Sequence, residues 1–228
     1  MPVWNQISLQ DSESVNMYLI SSFHDHVMVI VVMIVSLVLY MIVGLSFNSI
    51  VNRFFYKNEL LELIWTIVPG LMIIGMAMPS LYSLYMLEES FMPLVTFKAV
   101  GHQWYWSYEF SDFEEVIFDS YLLSDQPSMA SFRLLEVDNN VVVPHGVELR
   151  LVTTSADVIH SWALPSMGVK IDSVPGRLNQ SFFSPTHVGV LFGQCSEICG
   201  SLHSFMPICM EVVKSSDFFS WVSAFYAG

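Results

Sequence analysis

Two cysteines, a histidine and a methionine fall within the stretch GQCSEICGSLHSFMP at residues 193–207. Thiolate, imidazole and thioether are soft ligands, so Cys195, Cys199, His203 and Met206 make up a donor set for a transition metal. The same spacing would line all four on one stripe of an uninterrupted helix. A CxxxC pair can also close as a disulfide in an oxidising compartment. Gly193, Gly200 and Pro207 argue against the helix, as do the flanking β-like runs VGVLFGQ and ICMEVV. A disulfide does not call for the histidine and methionine beside it. Zinc is content with two cysteines and two histidines, whereas a thioether next to two thiolates favours copper.

A copper site of this kind wants a further histidine from outside the loop. His160 in SADVIHSWALPS is the natural candidate, because its apolar neighbours would screen a metal from water. His145 and His187 stand beside turn residues and read as solvated histidines, and Cys209, in the apolar run after the loop, reads as a small buried side chain. One thiolate suffices for a single blue-copper ion, so the second cysteine needs a reason. Two bridging thiolates can hold two coppers that share one electron, which spreads the charge change and lowers the reorganisation on each transfer.

The elements that must position these residues are of two kinds. Hydrophobic residues make up 54% of the chain and charged ones only 13%, a balance that points to a membrane part. Val27 to Phe47 carries no formal charge, and such a run is about 31 Å of helix, enough to cross a bilayer core. Leu63 to Leu87 is again uncharged and carries Pro69 and Pro79, which a spanning helix tolerates. The two spans are expected to form a hairpin. Arg53 and Lys57 lie between them while residues 1–26 contain no Lys or Arg, so the tip is expected on the cytoplasmic or matrix side and both termini on the other. No positive n-region precedes the first apolar run, so that run is expected to be retained rather than cleaved.

From Phe91 the texture changes to short alternating runs, LVTFKAV, FRLLEV, VELRLVTTS, LNQSFF, VGVLFGQ and ICMEVV, separated by Asn, Pro and Gly turns. This predicts an all-β, Greek-key domain over residues 91–228 after a membrane segment over residues 1–90. A short last helix is expected to begin near Ser216-Asp217, with Phe218, Trp221 and Phe225 on one side. Residues 91–228 hold 14 Asp and Glu against 6 Lys and Arg, a net charge near −8 of the chain's −13. Such a surface repels nucleic acid and steers a basic soluble partner. The cluster Glu109, Asp112, Glu114, Glu115 and Asp119 favours docking over mere solubility.

GHQWYWSYEF at 101–110, VIHSWALPSMGVKIDSVPGRLNQ at 158–180 and the 193–207 loop resemble cytochrome c oxidase subunit II, as do FHDH before the first span and IWTIVPG at 64–70. The resemblance implies an α+β membrane protein: a transmembrane helix hairpin bearing a cupredoxin-like β-barrel. It implies a binuclear copper centre held by His160, Cys195, Cys199, His203, Met206 and the backbone carbonyl of Glu197. The Glu197 carboxylate would face a magnesium ion shared with the largest, haem-bearing subunit, a hard oxygen ligand for a hard cation.

Trp104, which in isolation reads as strand packing, takes the family's electron-input role. Glu109, Asp112, Glu114, Glu115, Asp119, Asp138 and Asp157 would meet the lysines of cytochrome c. Glu62, placed just before the second span, matches the acid at the mouth of a proton path, and capping of the helix N-terminus is an equally physical account. The implied setting is the mitochondrial inner membrane, with the copper domain on the intermembrane-space side. Oxygen reduction and proton pumping would reside with the partner, leaving this chain inactive alone. A membrane-anchored copper chaperone or thiol oxidoreductase also uses CxxxC with a histidine but has no need of Met206. A quinol-oxidase subunit lacks the copper ligands, and a purely structural assembly role is a further rival.

Overall fold

The computed structural model describes residues 5–50, 52–89, 92–113, 116–123 and 132–226. Helix α1 spans Val15–Ser46 and α2 spans Glu59–Glu88. Each starts upstream of its uncharged window because a capping side chain stands there. Ser14 Oγ accepts from the Met17 amide at 3.0 Å, and Asn58 Oδ1 accepts from the Leu61 amide at 3.1 Å. The windows mark the stretch suited to hydrocarbon, while the helical hydrogen bonding runs on through the polar residues before them. Glu62 therefore lies within the first turn of α2, with Glu59, rather than ahead of the helix. Pro69 and Pro79 both sit inside α2. Both helices are long and apolar enough to cross a membrane.

Ile20–Met86 forms one compact unit, and Met1–Leu19 with Leu87–Gly228 forms the other. Within the second, residues 13–17 are stitched to the β domain. The Glu13 amide donates to Ser166 O and the Thr186 amide to Glu13 O, both at 2.9 Å. Ser14 Oγ donates to Met167 O at 2.6 Å, and Asn16 Nδ2 to Phe182 O at 2.8 Å.

Among the described residues ten strands follow: β1 Val95–His102, β2 Tyr105–Phe110, β3 Ile117–Ser120, β4 Val141–Pro144, β5 Leu149–Ser155, β6 His160–Leu164, β7 Val169–Ser173, β8 Asn179–Phe183, β9 Gly189–Gln194 and β10 Pro207–Val213. They form a five-stranded sheet ordered β3-β2-β1-β5-β8, a three-stranded sheet ordered β4-β10-β9, and the β6-β7 pair. The pairs β1–β5 and β4–β10 run parallel and the others antiparallel. Alternation is clear in β5, where every second side chain from Leu149 is buried. It is absent in β4 and β6, which are buried at every position and carry no alternating signature.

One expected strand is missing. FRLLEV forms a turn, with a single bridge between Val137 and Leu122. Leu134 takes φ +60°, which an extended strand does not accommodate.

The core is aromatic. Phe97 meets Phe110, Trp162 and Phe183 at ring-centroid distances of 5.6, 6.4 and 6.4 Å. A fully buried side chain of this size contributes roughly 1.5–3 kcal/mol. Trp162 Nε1 donates to Tyr108 Oη at 3.2 Å, so two buried polar atoms satisfy each other. Burial pushes the Tyr108 phenol well above its ordinary range. The last helix, α3 Ser215–Tyr226, begins at Ser215, just before the expected Ser216-Asp217 start. The amides of Asp217 and Phe218 both reach back to Lys214 O at 3.0 Å, so Lys214 occupies the capping position. Trp221 of α3 packs edge-on against Phe110 and Phe118, at 5.4 and 5.9 Å.

Candidate metal centre

His160 opens β6, and the other candidate ligands lie on the loop between β9 and β10, which is irregular except for a 3-10 turn at His203–Phe205. Close approach of β9 to β6 brings the two segments together. At Gly193 an added Cβ would stand 2.0 Å from Ala163 O, so only glycine permits this contact. The Ser196 amide then donates to Ser161 O at 2.9 Å, anchoring the start of the loop beside the histidine. Gly101 has a matching role: a Cβ there would lie 2.7 Å from His160 Cδ2.

The donor atoms converge. Cys195 Sγ lies 3.8 Å from His160 Nδ1, 3.4 Å from Glu197 O and 4.0 Å from Cys199 Sγ. Cys199 Sγ lies 3.4 Å from His203 Nδ1 and 3.5 Å from Met206 Sδ. The ligand atoms of His160, Cys195 and Cys199 all fall within 4.8 Å of one another. The sulfurs are about twice as far apart as in a disulfide, and the cysteines are free. His160, Cys195, Cys199 and Met206 are buried, so a bound ion would be shielded from water.

Hydrogen bonds orient the candidate ligands. Asp157 Oδ1 lies 2.8 Å from His160 Nε2, which assigns the proton to Nε2 and leaves the Nδ1 lone pair aimed at the sulfurs. Burial works against charge on His160, but its bonds to Cys195 and Asp157 prevail and raise its pKa. Burial likewise opposes the Cys195 thiolate, and hydrogen bonds to His160, Glu197 and Ser161 outweigh it, lowering that pKa. Burial and then the neighbouring Cys195 push the Cys199 thiol up to about 12. Closely set thiols resist sharing a site as two anions, and a cation of the soft class relieves that repulsion. The donor set therefore fits copper.

The remaining sequence-selected residues divide. Trp104 is partly buried against the core cluster and lies on the loop itself: a Cβ at Gly200 would stand 3.0 Å from Trp104 Cζ2. Glu197 is exposed, whereas Cys195 and Cys199 on either side of it are buried. Glu109 is paired with Lys98 at 2.8 Å. Asp112 accepts from the Thr96 amide at 2.5 Å, Asp119 from Ser107 Oγ at 2.6 Å, and Asp138 from the Tyr121 amide at 2.7 Å. Asp157 is committed to His160. Glu114 and Glu115 lie outside the described residues. Glu62 belongs to the helical unit. Sequence reasoning missed Gln103, whose side chain donates to Cys199 O at 2.7 Å across a separation of 96 residues. No local pattern marks such a contact.

Fold and site together define a cupredoxin-like copper protein carried on two apolar helices. Residues 95–213 match the family described as cytochrome c oxidase subunit II, periplasmic domain, and residues 2–82 match its transmembrane domain. The chain belongs to the cytochrome c oxidase subunit II family. It is 51% identical to cytochrome c oxidase subunit 2 of Drosophila subobscura over 98% of both chains. Against the Choristoneura rosaceana protein of the same name identity is 49%, over 98% of this chain and 99% of that one. The solved periplasmic domain of subunit II of cytochrome oxidase from Bradyrhizobium japonicum is 46% identical, with a TM-score of 0.57 over 61% of this chain and 98% of that one. The chain is thus a membrane-anchored oxidoreductase subunit of respiratory electron transport.

Proposed function

We propose that this chain is the electron-input subunit of its oxidase, receiving electrons from reduced cytochrome c and delivering them to haem in the largest subunit, where oxygen is reduced with proton pumping. The observation that carries this reading is the convergence of six donors from two segments, His160 Nδ1, Cys195 Sγ, Glu197 O, Cys199 Sγ, His203 Nδ1 and Met206 Sδ, at neighbour distances of 3.4 to 4.0 Å. These residues would hold two copper ions, for which the thiolates, imidazoles and thioether supply soft donors. When bound, the copper pair would supply a one-electron store. The chain's own contribution is to exclude water with buried walls and to fix the His160 ring through Nε2 by Asp157.

Trp104 is the electron-input side chain in this reading, because its ring rests on Gly200, next to Cys199. The acids Glu109, Asp112, Glu114, Glu115, Asp119, Asp138 and Asp157 receive the basic face of cytochrome c in this reading. The exposed Glu197 carboxylate suits a magnesium ion at the boundary with the largest subunit. Glu62, in the first turn of α2, marks a proton entrance on the matrix side. Arg53 and Lys57 favour that side for the connector, which puts both termini and the 91–228 copper domain in the intermembrane space of mitochondria, beyond the 1–90 membrane segment.

Copper counting and electron paramagnetic resonance on the full chain in detergent, loaded with copper under reducing conditions, test the proposal. Two coppers sharing one unpaired electron are expected. A single copper, a preference for zinc, or a metal-free Cys195–Cys199 disulfide overturns it in favour of a chaperone or thiol oxidoreductase.

A further inference from the structure

The turn between β1 and β2 consists of Gln103 and Trp104, and it touches both segments that carry the candidate ligands. On the β6 side, the Gln103 amide donates to Asp157 Oδ2 at 2.7 Å, while Asp157 Oδ1 holds His160 Nε2 at 2.8 Å. On the loop side, Gln103 Nε2 donates to Cys199 O at 2.7 Å. A continuous polar chain therefore runs from His160 through Asp157 and Gln103 to Cys199, and none of the bonds involves a donor atom that would face a metal. With the Ser196–Ser161 backbone bond, it ties the His160 segment and the loop together at two places.

We propose that Gln103 is a positioning residue for the metal centre: its amide side chain and its backbone fix the Cys199 end of the loop relative to His160, and its turn sets Trp104 on that loop. The inference rests on the copper reading above. The chemistry asks for glutamine. The Cys199 carbonyl needs a donor long enough to reach across from the turn, and Cys199 itself is only 3% exposed, so water is a poor substitute. A glutamate would set a carboxylate against that carbonyl. Asparagine is a methylene too short, and methionine fills the space without donating. The fit on the loop is close, since a Cβ at Gly200 would lie 3.1 Å from Gln103 Nε2 and 3.2 Å from Trp104 Nε1. In each variant the backbone bond to Asp157 is retained, so the perturbation is confined to the Cys199 side of the site.

The experiment compares the full chain, copper-loaded in detergent, as wild type, Gln103→Met and Gln103→Asn. The readouts are the thiolate-to-copper absorption bands, the electron paramagnetic resonance hyperfine pattern, the rate of copper loss to a chelator, and far-UV circular dichroism. Both variants are expected to keep the wild-type dichroism, to shift the bands and hyperfine pattern, and to lose copper about 10- to 100-fold faster, the usual cost of removing a partner behind the ligands. Wild-type spectra and release rates in both variants overturn the inference, as does a lowered melting temperature with an unchanged copper signature, which is what a merely structural turn residue gives. If methionine prevents folding, asparagine decides by the same criteria. A wild-type chain without the shared-electron signal refutes the copper reading itself, a result distinct from either.

Discussion

At the scale of single residues, the three cysteines have the same side chain and different fates. Cys195 has hydrogen-bond donors around it, and its thiol is held below the ordinary value despite burial. Cys209 has burial first, and then the charges of Glu211 and Glu136, against ionisation, which pushes its thiol up to about 12 from 9.0. Its neutral form is therefore favoured by the fold. Below pH 9 folded and unfolded chains both carry the proton, and the contribution to stability is complete. As pH rises from 9 toward 12 the unfolded chain releases the proton first, so stability falls across that window. Thermal melting followed by tryptophan fluorescence at pH 8 and pH 10.5 is expected to show a larger loss for wild type than for Cys209→Ala. Equal losses would mean that the thiol is not held neutral.

At the scale of elements, the site depends on how closely strands approach. Gly193 sits on β9 opposite Ile208 of β10, and its missing side chain lets the Ala163 carbonyl of β6 come within reach. Gly193→Ala places a methyl group against backbone, which cannot rotate away as a flexible side chain would. The expected cost is about 1–3 kcal/mol or more, in the range of overpacked cores, with β6 displaced from the loop. Denaturant unfolding of the full chain checks this, and a change under about 0.5 kcal/mol would show that β6 and β9 are free to separate. Met206 is placed by the same logic, since Trp106 Nε1 of β2 donates to its carbonyl at 3.4 Å while its sulfur faces Cys199.

At the scale of the whole molecule, the excess of acid is the dominant property. A net charge of −13 speeds encounter with a basic partner and is screened over about 8–10 Å at physiological salt. The association rate with reduced cytochrome c, measured by stopped flow with the assembled oxidase, is expected to fall about tenfold or more between 10 mM and 150 mM salt. A flat dependence removes the acidic surface from the docking step. Among the carboxylates, Glu109 is expected to contribute least, because Lys98 already neutralises it at 2.8 Å. Neutralising Asp119 or Asp138 is expected to slow association more than Glu109→Gln does.

Much of this was legible in the amino-acid order. Charge-free runs of this length are suited to cross a membrane, because hydrocarbon tolerates little else, and soft donors clustered between two strand-like runs mark a candidate metal loop by their chemistry. The loop residues Cys195, Cys199, His203 and Met206 were readable because their spacing is local. His160 was reached as the apolar-flanked histidine, and the family resemblance implies the same role for it. Other features depend on contacts between distant parts of the chain and leave no local trace. FRLLEV alternates like a strand and yet turns at Leu134, and β6 hides its strand character because it is buried on every side. Asp157 resembles any surface acid until the fold sets it 2.8 Å from His160, and Gln103 is silent in sequence because the carbonyl it holds lies 96 residues away. Local chemistry named the candidate ligands, whereas only tertiary packing brings Asp157 and Gln103 within hydrogen-bond distance of them.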